Sequence, residues 1–169
     1  MALFGSARDV SFIRRMNREI MQDVITQQCA FYKYKLKETP TNMYGEASTG
    51  RTFDGPVLLN ALITVGDNTS PTSDLGVNFD WPMSFAFLRD DLVDANVHPE
   101  VGDVILYQES YWEINNTNLT QFFVCKDPDY PYAQNPLNPG LENFGYNVSI
   151  ICTAHYVPAD KYNIIKQRL

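Results

Sequence analysis

The sequence predicts a mainly β protein: a small β-barrel or sandwich of about six to eight strands, with a long N-terminal helix and a short C-terminal helix. Three observations predict it. Apolar and aromatic runs, alternating or continuous, recur through the middle of the chain, and most are ended by Gly, Pro, Asn or Asp. The N-terminal segment breaks that pattern with apolar residues at three- and four-residue steps. A chain of 169 residues suits one domain able to bury a core without metal or disulfides. The expected organisation is a helix within 1–28, a β core with long loops over 29–157 and a tail over 158–169.

In chain order, Ser6 and Asp9 form a helix-start signal, Ser6 accepting from backbone N–H groups and Asp9 placing charge near the positive helix end. The spacing of Val10, Ile13, Met16 or Asn17, Ile20 and Val24 predicts an amphipathic helix over 7–27, with Met21 and Ile25 widening the stripe. Arg8, Arg14, Arg15 and Arg18 make this the most basic segment of an acidic chain. They read either as a solvated helix face or as a contact to a partner ring or to DNA backbone. CAFYKYKLK over 29–37 sets Ala30, Tyr32, Tyr34 and Leu36 on one face and Lys33, Lys35 and Lys37 on the other, a strand with one wet, basic side. Residues 38–54 are rich in Thr, Asn, Gly and Ser and predict a long loop with an apolar anchor at Met43 and Tyr44. VLLNALITV over 57–65 predicts a strand ended by Gly66 and Asp67, with a polar loop over 68–75. Phe79, Trp81, Met83, Phe85 and Phe87 fall at even steps, and Pro82 among them predicts a bulge or corner between two short strands. DDLVDAN over 90–96 predicts a helical turn capped by Asp90 or Asp91.

Several independent local signals agree over 99–114, PEVGDVILYQESYWEI. Val104, Leu106 and Gln108 alternate with Ile105, Tyr107 and Glu109, and a second run begins at Tyr111 and Trp112. This predicts a hairpin of sheet-interior composition, entered at Gly102-Asp103 and reversing at Glu109-Ser110, with Pro99 kept outside the ladder. Residues 115–120 then predict a polar turn and 121–125 a short strand pairing back. The four prolines of 126–140 forbid helix and ladder, leaving a loop whose Tyr130 and Tyr132 suit a protein contact. The last strong strand is expected over 144–157, and Ile164, Ile165 and Leu169 predict a short docking helix.

Composition and motifs bound the chemistry. A net charge of -7 with a pI near 4.7 argues against a protein that wraps nucleic acid, which needs clustered Lys and Arg. Cys29, Cys125 and Cys152 are odd in number, lack CxxC spacing and lie in apolar or aromatic runs, so they read as reduced core residues suited to assembly in a cytoplasm. The apolar start is too short for a signal-peptide core, and no run approaches a membrane span, so a membrane partner is not expected. No phosphate loop, dinucleotide glycine fingerprint, HExxH or GxSxG occurs. His155 follows Cys152 by three residues in a strand, which places them on opposite faces and disfavours a thiolate-imidazole pair. Asp90, Asp91 and Asp94 could hold a cation, but helix capping is the simpler role. No catalytic residue, metal or cofactor is expected.

The order P-x-x-G-D, an apolar run, Tyr and then an aromatic pair leading to W-E-I resembles the neck proteins of contractile-tailed phages, also called head-closure or stopper proteins. Its carriers are Pro99, Gly102, Asp103, Val104, Ile105, Tyr107, Trp112, Glu113 and Ile114. Weaker similarity lies upstream, in 32–36 and in Met43, Tyr44, Gly45 and Glu46, and downstream, in Phe122, Phe123 and 147–152. The resemblance implies a structural virion protein, not an enzyme, assembled in the host cytoplasm and built into the head-tail junction. It implies a homo-oligomeric, hexameric ring between a portal-bound adaptor ring and a tail terminator ring, with packaged DNA passing through unread. Interface candidates are Arg14, Arg15, Arg18, Met43, Tyr44, Glu46, Tyr130 and Tyr132. Alternatives are the tail terminator or head-tail adaptor of the same assembly, or a small-ligand-binding β domain.

Overall fold

Six strands close into an antiparallel barrel in the order β1-β2-β5-β8-β7-β6, with β6 returning to pair with β1. The computed structural model describes residues 7–40, 42–44, 47, 50–67, 72–73, 76–77, 81–122, 147–158, 162 and 164. The barrel strands are β1 (Gln28–Tyr34), β2 (Phe53–Val65), β5 (Pro82–Leu88), β6 (Val104–Tyr107), β7 (Ser110–Phe122) and β8 (Asn147–Val157). Between β2 and β5, the short β3 (Thr72–Ser73) and β4 (Gly76–Val77) pair with each other. Helix α1 (Ala7–Glu19) precedes the barrel, and α2 (Arg89–Asp94) follows β5 directly. Of the two expected architectures, the closed barrel is the one adopted.

Alternation along the strands fills the interior. Phe31, Phe85, Phe87 and Trp112 point inward among the small Cys29, Ala61, Cys152 and Ala154, a large-small mix that packs a narrow barrel. Leu92 of α2 joins the same core, so this helix plugs the barrel and does more than link two strands. A second apolar cluster lies outside the barrel, where Ala30, Tyr32, Val104, Leu106, Tyr111 and Val157 are covered by Tyr162. Strands β1 and β6 are therefore buried on both faces along most of their length, which explains the unbroken apolar run of 104–106. The expected wet, basic side of β1 is corrected accordingly: Lys33 is drawn into ion pairs, and Cys29 and Phe31 on its face point into the core.

Several boundaries differ from expectation. The long N-terminal helix is corrected to a 13-residue α-helix, after which Ile20–Ile25 widens into a π-helical turn. Thr26 stops it in a left-handed conformation, its N–H reaching back to Met21. The chain must then join the sheet, where Gln27 accepts from Ala61 N through its carbonyl and from Ile63 N through its side chain. Strand β2 starts at Phe53, four residues before expectation, because the β1 ladder slips between Phe31 and Lys33 and admits Gly55 and Pro56. Gly55 has φ +124, and a Cβ there would lie 2.8 Å from the Phe31 carbonyl oxygen, so the position requires glycine. Pro82 is the first residue of β5, where a missing N–H is tolerated, and residues 78–80 before it lie outside the described residues.

The polar turn expected over 115–120 does not exist. Strand β7 runs 13 residues through it, with register shifts at 114/116 and 118/121, because the long β8 pairs along that length and its outer face is open to water. Polar composition looked like a turn when it marked a solvated strand face. The hairpin reversal sits one residue earlier than expected, at Gln108 and Glu109, both with positive φ, in a two-residue type I′ turn. Phe79 and the C-terminal helix expected around Ile164, Ile165 and Leu169 lie outside the described residues, apart from Ile164 itself.

Non-glycine residues at both turn positions cost backbone strain. Replacing Glu109→Gly is expected to stabilise the protein by about 0.5–1 kcal/mol in urea unfolding; no gain would mean that the side chain compensates the strain.

Candidate functional site

The P-x-x-G-D and W-E-I residues occupy adjacent positions where the barrel closes. Val104 pairs with Glu113, and Ile114 N donates to the Asp103 carbonyl at 2.9 Å while Gly102 N donates to Ile114 O at 3.0 Å. Gly102 has φ +95, which suits glycine at this turn into β6. The Asp103 carboxylate, 1% exposed, accepts from Tyr34 N at 2.9 Å, Glu100 N at 2.8 Å and Lys33 Nζ at 3.0 Å. It thus extends the short β1-β6 ladder by a side-chain bond. Lys33 also reaches the His98 carbonyl and Glu100 Oε2, tying the α2-β6 connection to the same point. Burial pushes the Asp103 carboxyl up from its ordinary value against these donors.

Glu113 performs a matching role outside the barrel. One carboxylate oxygen accepts from Arg51 at 2.5 Å, and the other from the Tyr162 hydroxyl. Arg51 lies over the Tyr34 ring at 5.6 Å, and the Tyr162 ring packs edge-on against Phe53 and Tyr111. The two carboxylates of the resembling motif therefore hold three distant segments: β1, the connection after it, and the C-terminal segment. Burial and the bond to Glu113 hold the Tyr162 hydroxyl far above its ordinary value.

On α1 the polar and apolar faces are turned the unexpected way. Arg14 forms a two-point pair with Asp90, and Arg18 pairs with Asp91 at 3.0 Å and Asp94 at 2.5 Å, while Gln22 donates to Asp91. The three aspartates of α2 neither cap it nor stand as a cation site; they bind the helix. The N-cap of α2 is Leu88, without a side-chain cap. Arg15 is exposed, with a loose 3.9 Å contact to Glu19. Met21 is buried and Ile13 half-buried, whereas Phe12, Met16, Ile20 and Val24 face water, Phe12 at 62% and Val24 at 75% exposure. The expected core stripe is thus mis-phased: it passes through Ile13, Asn17 and Met21, and the Met16-Ile20-Val24 line is the outer one. The signal that could have found this was Arg14-Arg18 matched in spacing to Asp90-Asp94.

Met43 and Tyr44 stand in a turn at 92% and 85% exposure, with Asn42 Oδ1 accepting from Tyr44 N at 3.0 Å. Glu46, Tyr130 and Tyr132 lie outside the described residues, as does Cys125. Cys29 and Cys152 are free and buried, their thiols pushed up to about 12 chiefly by burial, so they are protonated at neutral pH. Cys152 faces the core while His155 sits on the other side of β8. Among the described residues no group of three or more His, Cys, Asp or Glu could hold a metal ion, and no helix is long and apolar enough to cross a membrane. An open cleft of about 380 Å³ lies beside Phe31, Lys33, Val57, Val97 and His98. Compared with protein families and with curated proteins, the chain finds no match.

Two outcomes test the closure. Asp103→Ala leaves Lys33 and two backbone donors without their buried acceptor and is expected to cost about 3 kcal/mol in denaturant unfolding. Because folding raises the Tyr162 hydroxyl above the 10 of the unfolded chain, its stabilisation is complete below pH 10 and is lost as pH rises beyond it. Tyr162→Phe should therefore be less stable than the parent at pH 8, with the difference shrinking by pH 11 in matched urea titrations. A constant difference would place the ionisation elsewhere.

Proposed function

We propose that this chain is a structural protein of the neck of a contractile-tailed phage, without enzymatic activity. Its copies form a ring that closes the DNA-filled head and joins a portal-bound adaptor ring to a tail terminator ring. The observation that carries the reading is the inverted helix. An amphipathic helix on a free-standing protein turns its apolar face inward, whereas α1 is held by Arg14 and Arg18 with four large apolar side chains in water. Such a surface suits a protein whose work is contact with other subunits.

The resemblance of 99–114 to neck proteins supports the particular assembly. Its residues lie where the barrel closes, with Asp103 and Glu113 holding distant segments there. The net charge of -7 suits a channel that lets DNA slide by without holding it. A ring of identical subunits uses head-to-tail contacts, one surface of each copy meeting a different surface of the next. In this reading the exposed Met43-Tyr44 turn reaches a neighbouring subunit or ring, six copies make the ring, and the site of action is the virion's head-tail junction, after assembly in the host cytoplasm.

Deleting residues 43–48 tests this. The variant is expected to keep its circular dichroism and melting temperature yet fail to appear as a ring at the neck of particles in electron micrographs. If it still yields rings and infectious particles, the loop has no part in assembly; if the intact protein is never found at a neck, the reading as a whole is wrong.

A further inference from the structure

The two apolar clusters are built from barrel strands, from α2 with the turn after it, and from the C-terminal segment; no described side chain of α1 belongs to either. Over residues 12–19 no side chain is buried, and the first buried one is Met21 in the turn beyond. What holds α1 to the body is charge. Arg14 makes its two-point pair with Asp90, and Arg18 reaches Asp91 at 3.0 Å and Asp94 at 2.5 Å. These two arginine side chains are 38% and 41% exposed, so water and dissolved ions reach the pairs.

Docking also sets like charges against each other. Arg89, buried at the start of α2, lies close enough to Arg14 for the two guanidinium groups to repel, and burial together with that repulsion holds the Arg89 group below its ordinary value. Asp90 offsets this in part.

Directly beyond α1 the chain is fastened again, by other means. Thr26 N donates to Met21 O at 3.1 Å, and Gln27 accepts from Ala61 N at 2.9 Å and from Ile63 N at 3.1 Å. Between the two attachments the helix passes into the π-helical turn Ile20–Ile25, a break in the regular ladder of the kind at which helices bend. We propose that α1 is an arm clamped by charge: it swings off α2 as a unit about this turn while the barrel stays closed, and ionic strength sets the fraction docked. The inference concerns the single chain and is independent of whether copies form a ring.

Screening is what makes salt the lever. The Debye length falls from about 10 Å at 0.1 M to about 3 Å at 1 M salt, which weakens half-exposed pairs and leaves the buried Asp103 carboxylate with its donors. A 13-residue helix without its support is marginal in water, so release shows as lost amide protection.

The test is amide hydrogen exchange of the full chain, dilute, at rising sodium chloride, read by mass spectrometry of peptides covering 10–19 and 104–114. Between low salt and 1 M, exchange over 10–19 is expected to quicken by about tenfold while 104–114 is unchanged. The double variant Arg14→Gln with Arg18→Gln, which leaves α2 intact, is expected to exchange over 10–19 at low salt as fast as the parent does at 1 M, with no further response to salt and the same melting temperature. If the parent shows no salt response, or if 104–114 quickens together with 10–19, α1 does not open separately and the proposal is overturned. A salt response in the double variant equal to the parent's overturns it as well, because salt would then act through other groups.

Discussion

Closing a six-stranded sheet requires its first strand to find its last, and here the seam is short. Strand β1 meets β6 through three residue pairs, and a buried carboxylate, Asp103, lengthens the seam by accepting from Tyr34 N and from Lys33. A buried charge without donors would be expelled or neutralised. This one is retained because three donors converge on it and because its own backbone sits in the turn that starts β6. Everything else in the barrel follows from a closed ring of strands: no free edge, a defined inside, and an outside that connections must cover.

What covers the outside differs from place to place. Glu113, across the ladder from Val104, holds Arg51 and Tyr162 and so fastens the C-terminal segment over β1 and β6. Aspartates of α2 hold α1 by its arginines. Half-exposed pairs of this kind contribute little to global stability, since water screens them. Their geometric effect is larger, because two pairs one helical turn apart define the rotation of α1 about its axis. That rotation decides that α1 shows Phe12, Met16, Ile20 and Val24 to its surroundings.

The thiols of Cys29 and Cys152 are protonated and packed among aromatic rings, and Asp103 and Glu113 are engaged in holding backbone and side chains. Among the described residues, those that face outward include charged side chains, the apolar side chains of α1 and a protruding Met43-Tyr44 turn. Surfaces of this type recognise shape and apolar area on another macromolecule.

The sequence by itself determined the β class, the even-step inward side chains Met83, Phe85 and Phe87, the hairpin at 104–114 and the last strand, because alternation with a period of two is a local property that any buried sheet face imposes. It also marked Asp103 and Glu113 through the resemblance, without their partners. Tertiary structure alone decided that β7 continues through a stretch that reads as a turn, that β1 is buried on both faces, and that α1 turns its apolar stripe to water. Each depends on residues far away in the chain, β8 along β7, Tyr162 over β1, and Asp90 to Asp94 beside Arg14 and Arg18. Composition and periodicity report how polar a face is, and the choice of what lies against that face is made by contacts between distant segments.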